Sequence, residues 1–182
     1  MRMTPARKFD TRQENGFSLI ELLIVVAIIL VIAAIAVPSL LKSRIASNDA
    51  AAAATVRSIN TAEASYVVNF SGVGYTGLAQ LGPNGNICSA ITPTPTAACL
   101  LDNFLGCTSS WCVKDAFWYN VTLTTGDYTI TAIPITGQGD RVICSTGDAV
   151  IHNQIPATIT TAAGTAPGTG IDHDVCTGLP SQ

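Results

Sequence analysis

Glu21 is a lone carboxylate inside the almost wholly apolar stretch 17–41. An ionisable group at that depth costs about 3 kcal/mol on insertion scales. A helix that only anchored would not carry it. The charge implies a second duty, in which the carboxylate meets a cation. Gly16 and Phe17 stand just before the apolar run, behind a polar leader, 1–16. Cleavage between them would make Phe17 a new N-terminus with a free α-amine. Glu21 lies four residues further on, one helical turn away and on the same face. In a low dielectric, amine and carboxylate attract strongly and offset each other's desolvation. The amine belongs either to the same chain or to a neighbour packed one step out of register. The second arrangement would set the register of an assembly.

The element that positions this pair is a helix. At 1.5 Å per residue, residues 17–41 reach about 37 Å, against a hydrocarbon core of about 30 Å. Lys42 and Arg44 end the run. The leader holds Arg2, Arg7, Lys8 and Arg12 against Asp10 and Glu14, four cations less two anions, or +2. The larger basic count lies ahead of the span, so the chain is expected N-in and C-out. Apolar periodicity continues through Ile45, Ala52, Val56, Ile59, Ala62, Tyr66 and Phe70. Polar residues, including Asp49, Arg57, Asn60 and Glu63, fill the positions between. Ser71-Gly72 is a stop signal. The pattern predicts one helix over about 17–70, about 80 Å long at standard rise. Its first half (17–41) is apolar all round and its second (42–70) amphipathic.

The segment Gly16-Phe17-Ser18-Leu19-Ile20-Glu21-Leu22-Leu23-Ile24-Val25-Val26 resembles the class III signal of type IV prepilins and type II secretion pseudopilins. Pro38 falls where many of these proteins carry a helix-bending proline. The resemblance implies several things. A prepilin peptidase cuts after Gly16 and methylates Phe17. Glu21 aids subunit entry into a helical filament. Partners are identical or related pilin subunits, the inner membrane, an assembly platform protein and its cytoplasmic ATPase. The mature subunit ends in an extracellular pilus or a periplasmic pseudopilus. One departure is the residue midway along the segment, Leu30, where many members have glycine. Pro38 is then the obvious weak point of the helix.

Other readings leave marks of their own. A secretory signal cut after Ala36, at Ala34-Ile35-Ala36, would release a soluble disulfide-bonded domain. That reading makes Glu21 an interruption and the Gly-Phe-x-x-x-Glu pattern a coincidence. A pseudopilin would usually carry a tyrosine-proline motif after the helix and a calcium loop, and neither is evident. A minor pilin that bound DNA or a surface would need a basic or aromatic patch in its head.

The rest of the chain reads as one modest extracytoplasmic domain. The full chain has 182 residues and a net charge of −3. Removing the +2 leader makes it −5, which gives nucleic-acid binding no electrostatic footing. The six cysteines (Cys88, Cys99, Cys107, Cys112, Cys144 and Cys176) all follow the apolar segment. An even count on one side of a membrane anchor predicts disulfides in an oxidising compartment. Pairing Cys144 with Cys176 would staple a polar tail to a strand, although spacing alone leaves other pairings open. Zinc is disfavoured. There is no C-x-x-C pair, and the two histidines are His152 and His173. Asp172-His173-Asp174 reads as a solvated tail before it reads as a metal site. No metal, cofactor or catalytic constellation is expected, and the chain does not read as an enzyme.

Residues 71–116 form a Cys-rich variable loop, broken by glycine and proline. An antiparallel β-meander is predicted over 117–153. It has alternating strands at 117–123 and 128–133, then strands at 141–145 and 149–153. Its inner face would pack on the stripe 56–70. A disulfide-tethered tail, 154–182, closes the chain, with a low-complexity run at 155–170. This order, long helix, variable loop, antiparallel sheet and tail, is an α+β layout that again resembles the type IV pilin fold.

Overall fold

The computed structural model describes residues 16–154 and 164–181. The leader up to residue 15 and most of the low-complexity run lie outside the described residues. Two compact units are present, Met1–Leu40 and Leu41–Gln182.

Helix α1 spans Leu19–Asn69, with Pro38 inside it. In the first unit its large apolar side chains, Leu19 to Leu40, are exposed. In the second unit, Ala52, Val56, Ile59, Ala62 and Tyr66 are buried, at the spacing of one helical face. That face also buries Asp49, Asn60 and Glu63, which the amphipathic reading places between the stripe positions. Asp49 accepts the Asp140 N–H at 3.1 Å and lies 3.7 Å from the Arg141 guanidinium. Asn60 donates to Ser145 Oγ at 2.8 Å and accepts the Tyr128 hydroxyl at 2.9 Å. A helix face that meets a sheet can hold polar groups when the sheet supplies partners. Hydropathy carries no record of those partners.

The sheet is a five-stranded antiparallel meander: β1 (Cys112–Lys114), β2 (Phe117–Thr124), β3 (Asp127–Pro134), β4 (Val142–Thr146) and β5 (Ile151–Gln154). Strand β1 is an addition to the expected four. It joins β2 through Asp115 and Ala116, both at positive φ (47° and 70°). That is the two-residue turn geometry usually signalled by Asn-Gly or Asp-Gly. Alanine there hides the hairpin from any reading of turn residues. The β2–β3 turn is conventional. Thr124 faces Asp127 across Thr125-Gly126, with Gly126 at φ +82°.

Both faces of the sheet are covered. Phe117, Tyr119, Ile130, Ala132 and Ile143 pack with the buried face of α1 in the main core. The opposite face carries Trp118, Ile133, Val142 and Cys144, which pack with Trp111, Ile171 and Cys176. A meander is expected to bury one face only. Here the second is closed by the tail, whose helix α3 (His173–Thr177) lies against β4. Cys144 is bonded to Cys176 with a Cα separation of 5.9 Å. The Asn153 N–H donates to the Pro180 carbonyl, and His152 pairs with Ser181 as an isolated bridge beside β5. The tail so occupies the outer edge of the sheet, where open pairing groups invite aggregation.

Residues 70–111 contain helix α2 (Leu78–Leu81) and a single 3-10 turn, Cys88–Ala90. Backbone bonds organise the remainder, such as Ala98 N–H to the Gln80 carbonyl and Leu100 N–H to the Leu81 carbonyl. Disulfides Cys88–Cys99 and Cys107–Cys112 staple it. Asp102 caps the turn at Phe104 and Leu105 with its Oδ1 and holds Lys114 at 2.6 Å. Gly82 and Gly106 cross backbone to backbone at the centre of this loop.

Candidate processing and assembly site

Gly16, Phe17 and Ser18 precede the first helical residue, Leu19. A peptidase needs its scissile peptide outside a helix, and the 16–17 bond meets that condition. Among the described residues nothing lies within 4 Å of the position a Gly16 Cβ would take, and Phe17 is 82% exposed. The helix opens with Ser18, whose carbonyl accepts the N–H groups of Glu21 (3.1 Å) and Leu22 (3.2 Å).

Glu21 therefore sits in the first turn of α1. The N-terminus of a helix bears about half a positive charge from its unpaired N–H groups, which favours a carboxylate there. The same field disfavours a new ammonium at Phe17. Phe17 lies ahead of the helix and does not share a helical face with Glu21; were it the N-terminus, a carboxylate four residues on would offset that repulsion. This placement adds a local reason for an acid in the first turn, which the spacing of 17 and 21 alone does not supply.

Behind Glu21 the helix surface has no cover among the described residues. Large apolar residues from Leu19 to Leu41 are exposed, and α1 is long and apolar enough to cross a membrane. Surface of this extent on a folded chain needs lipid or protein against it. Pro38 lies within α1, which continues across it.

The remaining candidates from the sequence are placed elsewhere. The six cysteines form three disulfides in the second unit. His152 is buried in β5, and its Nδ1–H donates to the Leu179 carbonyl at 2.7 Å. His173 opens α3, with its Nε2 3.0 Å from Asp127 Oδ2. The bond to Asp127 raises the His173 pKa. Burial pushes the Asp127 carboxyl up, but the N–H groups of Tyr128 and Gly147 and the His173 ring outweigh it and hold it low. His173 thus tethers α3 to β3, while Asp172 and Asp174 on either side are exposed. Among the described residues, no group of three or more His, Cys, Asp or Glu side chains is placed to hold a metal ion.

A long N-terminal helix followed by an antiparallel sheet is an α+β arrangement that fits the pilin fold. Residues 11–37 match the family described as the prokaryotic N-terminal methylation motif. That motif is the hallmark of type IV pilins, prepilins and pseudopilins, and this chain carries it. No curated protein and no solved structure matches the chain. The motif supports a pilin-like or pseudopilin-like protein, implies processing by a prepilin peptidase and assembly with related subunits, and fits membrane anchoring beforehand. It points to a structural subunit.

Proposed function

We propose that the chain is a structural subunit of a type IV pilus, cut after Gly16, methylated on Phe17 and polymerised through α1. One observation carries this reading. A Gly16-Phe17 peptide outside the helix is followed within one turn by Glu21 and then by an uncovered apolar helix surface. Once α1 has left lipid, burial of that surface against neighbouring helices keeps it from water and holds the filament together. At about 25 cal/mol per Å², a few hundred Å² per subunit yields on the order of 10 kcal/mol. Burial of this kind is non-directional, and an apolar rod slides along its neighbours at little cost. Glu21 supplies the missing register, because an ion pair in low dielectric is lost by a displacement of one turn. The prepilin is held in the inner membrane with its disulfide-bonded head outside the cytoplasm. Assembly then draws on a cytoplasmic ATPase and a membrane platform protein.

Two measurements test this. Mass spectrometry of sheared surface filaments should find a dominant chain beginning at N-methylated Phe17. A chain beginning at Val37 would overturn the reading in favour of a secreted domain. The variant Glu21→Ala should insert and be cleaved normally, while filament yield falls at least tenfold. Normal filament yield from that variant would remove Glu21 from the mechanism.

A further inference from the structure

Glu63 has no exposed surface. It lies on the face of α1 that packs on the sheet, three residues after Asn60 and three before Tyr66. Oε2 accepts the Thr76 N–H at 3.2 Å. Oε1 is equally shut off from solvent and has no hydrogen-bond partner among the described residues. A buried carboxylate is tolerated when several donors or a cation meet it. Here one backbone N–H does. The ionisable neighbours are phenols. Tyr128, on β3, feels the charge of Glu63, and Tyr75 stacks edge-on against Tyr128 at 4.7 Å. The Tyr128 hydroxyl is committed to Asn60. Asp127 and Asp148 act on Tyr128 as well, and Asp127 in turn is paired with His173.

The partner of Glu63 belongs to a hinge. Residues 70–77 link α1 to α2, and Gly72 and Gly74 both hold positive φ (95° and 82°) with open space where a Cβ would stand. Val73 is exposed. The glycines allow a pivot there; beyond them Thr76 is tied to Glu63 and Tyr75 packs its ring on Tyr128.

We propose that Glu63 is a proton-operated clasp on the segment 70–77: protonated, it holds Thr76 against the sheet-facing side of α1; ionised, it draws in water and releases the hinge. The entry to α2 and the Cys-rich loop is what the clasp controls, and that loop is part of the surface the head presents.

Burial is the larger influence on the acid. It pushes the pKa from 4.5 up to about 7, against the opposing Thr76 N–H. The direction of the pH effect follows. Below pH 4.5 the acid is protonated in folded and unfolded chains alike. Between 4.5 and about 7 the folded chain keeps a proton that the unfolded chain has lost. Folding therefore weakens as pH rises through that window, and above about 7 the loss is complete. The cost is felt first where the acid's single partner can move away.

The test is amide hydrogen exchange on the full-length chain in detergent micelles, comparing the wild type with Glu63→Gln at matched pH. Glutamine keeps the acceptor for Thr76 and cannot ionise. From pH 5 to pH 8, opening at Thr76 should rise at least tenfold more in the wild type than in the variant. Equal pH dependence in the two proteins would overturn the clasp. Carbon-13 titration of the Glu63 carboxyl in the unmodified chain decides independently of whether the variant folds. A midpoint near 7 is expected, and one near 4.5 would also overturn the proposal.

Discussion

Replacing Cys144 and Cys176 together by alanine is expected to destabilise the head by about 4 kcal/mol and to uncover the outer face of the sheet. The two residues are 32 apart in sequence, and closing a loop of that size is worth about 4 kcal/mol in the chain-entropy model. Without the bond the tail keeps weaker attachments. These are the Ile171 N–H to Thr131 Oγ1 at 3.0 Å, Asn153 N–H to the Pro180 carbonyl, and the His173–Asp127 contact. Single hydrogen bonds of this kind net about 1 kcal/mol each and do not replace a covalent closure. Trp118 and Trp111 lie in the core cluster that the tail covers. The measurable outcome is a red shift of tryptophan emission at denaturant concentrations where the wild type is still native, together with an earlier unfolding midpoint. The companion pair Cys107→Ala/Cys112→Ala closes only 5 residues and should cost about 2 kcal/mol. If the two double variants unfold alike, the tail is not held as described.

Gly106→Ala is expected to cost about 3 kcal/mol, near the upper end for overpacking. A Cβ at residue 106 would be driven into the Gly82 backbone, with Pro83 Cδ at 2.9 Å and the Asp102 carbonyl at 3.0 Å. Flexible side chains yield to such a contact, whereas two crossing backbones do not. The crossing is pinned on one side by the Cys99 N–H to the Gly82 carbonyl and on the other by the Gly106 N–H to the Asp102 carbonyl. Gly126→Ala is the useful contrast. It has open space around its Cβ position but a φ of +82°, which costs an L-residue about 1 kcal/mol. Thermal unfolding of the two variants should rank Gly106→Ala well below Gly126→Ala. The reverse order would mean that the loop around Gly106 relaxes freely.

The features legible in the chain alone share one property: they lie in consecutive residues. The apolar stretch, Glu21 within it and the Gly16-Phe17 junction need no knowledge of what else is nearby. Alternation located β2 and β3 because a strand's period of two is written along the strand itself. The six cysteines announced disulfides by number and placement, since oxidation depends on compartment before it depends on geometry. Strand β1 escaped because its hairpin is turned by Asp115-Ala116, where tertiary packing holds alanine at a backbone angle its own preference opposes.

What the sequence determined by itself was the N-terminal signal, the helix behind it and the antiparallel character of the head, all products of short-range spacing. Tertiary structure alone decided which polar residues are buried. Glu63 differs from any surface acid on a helix only because Thr76 and Tyr128 close over it. Trp118 differs from an exposed strand residue only because a tail more than fifty positions later lies across it. Burial is a property of pairs of segments far apart in the chain. The free energy of an ionisable or aromatic side chain is therefore set by neighbours that no local pattern names.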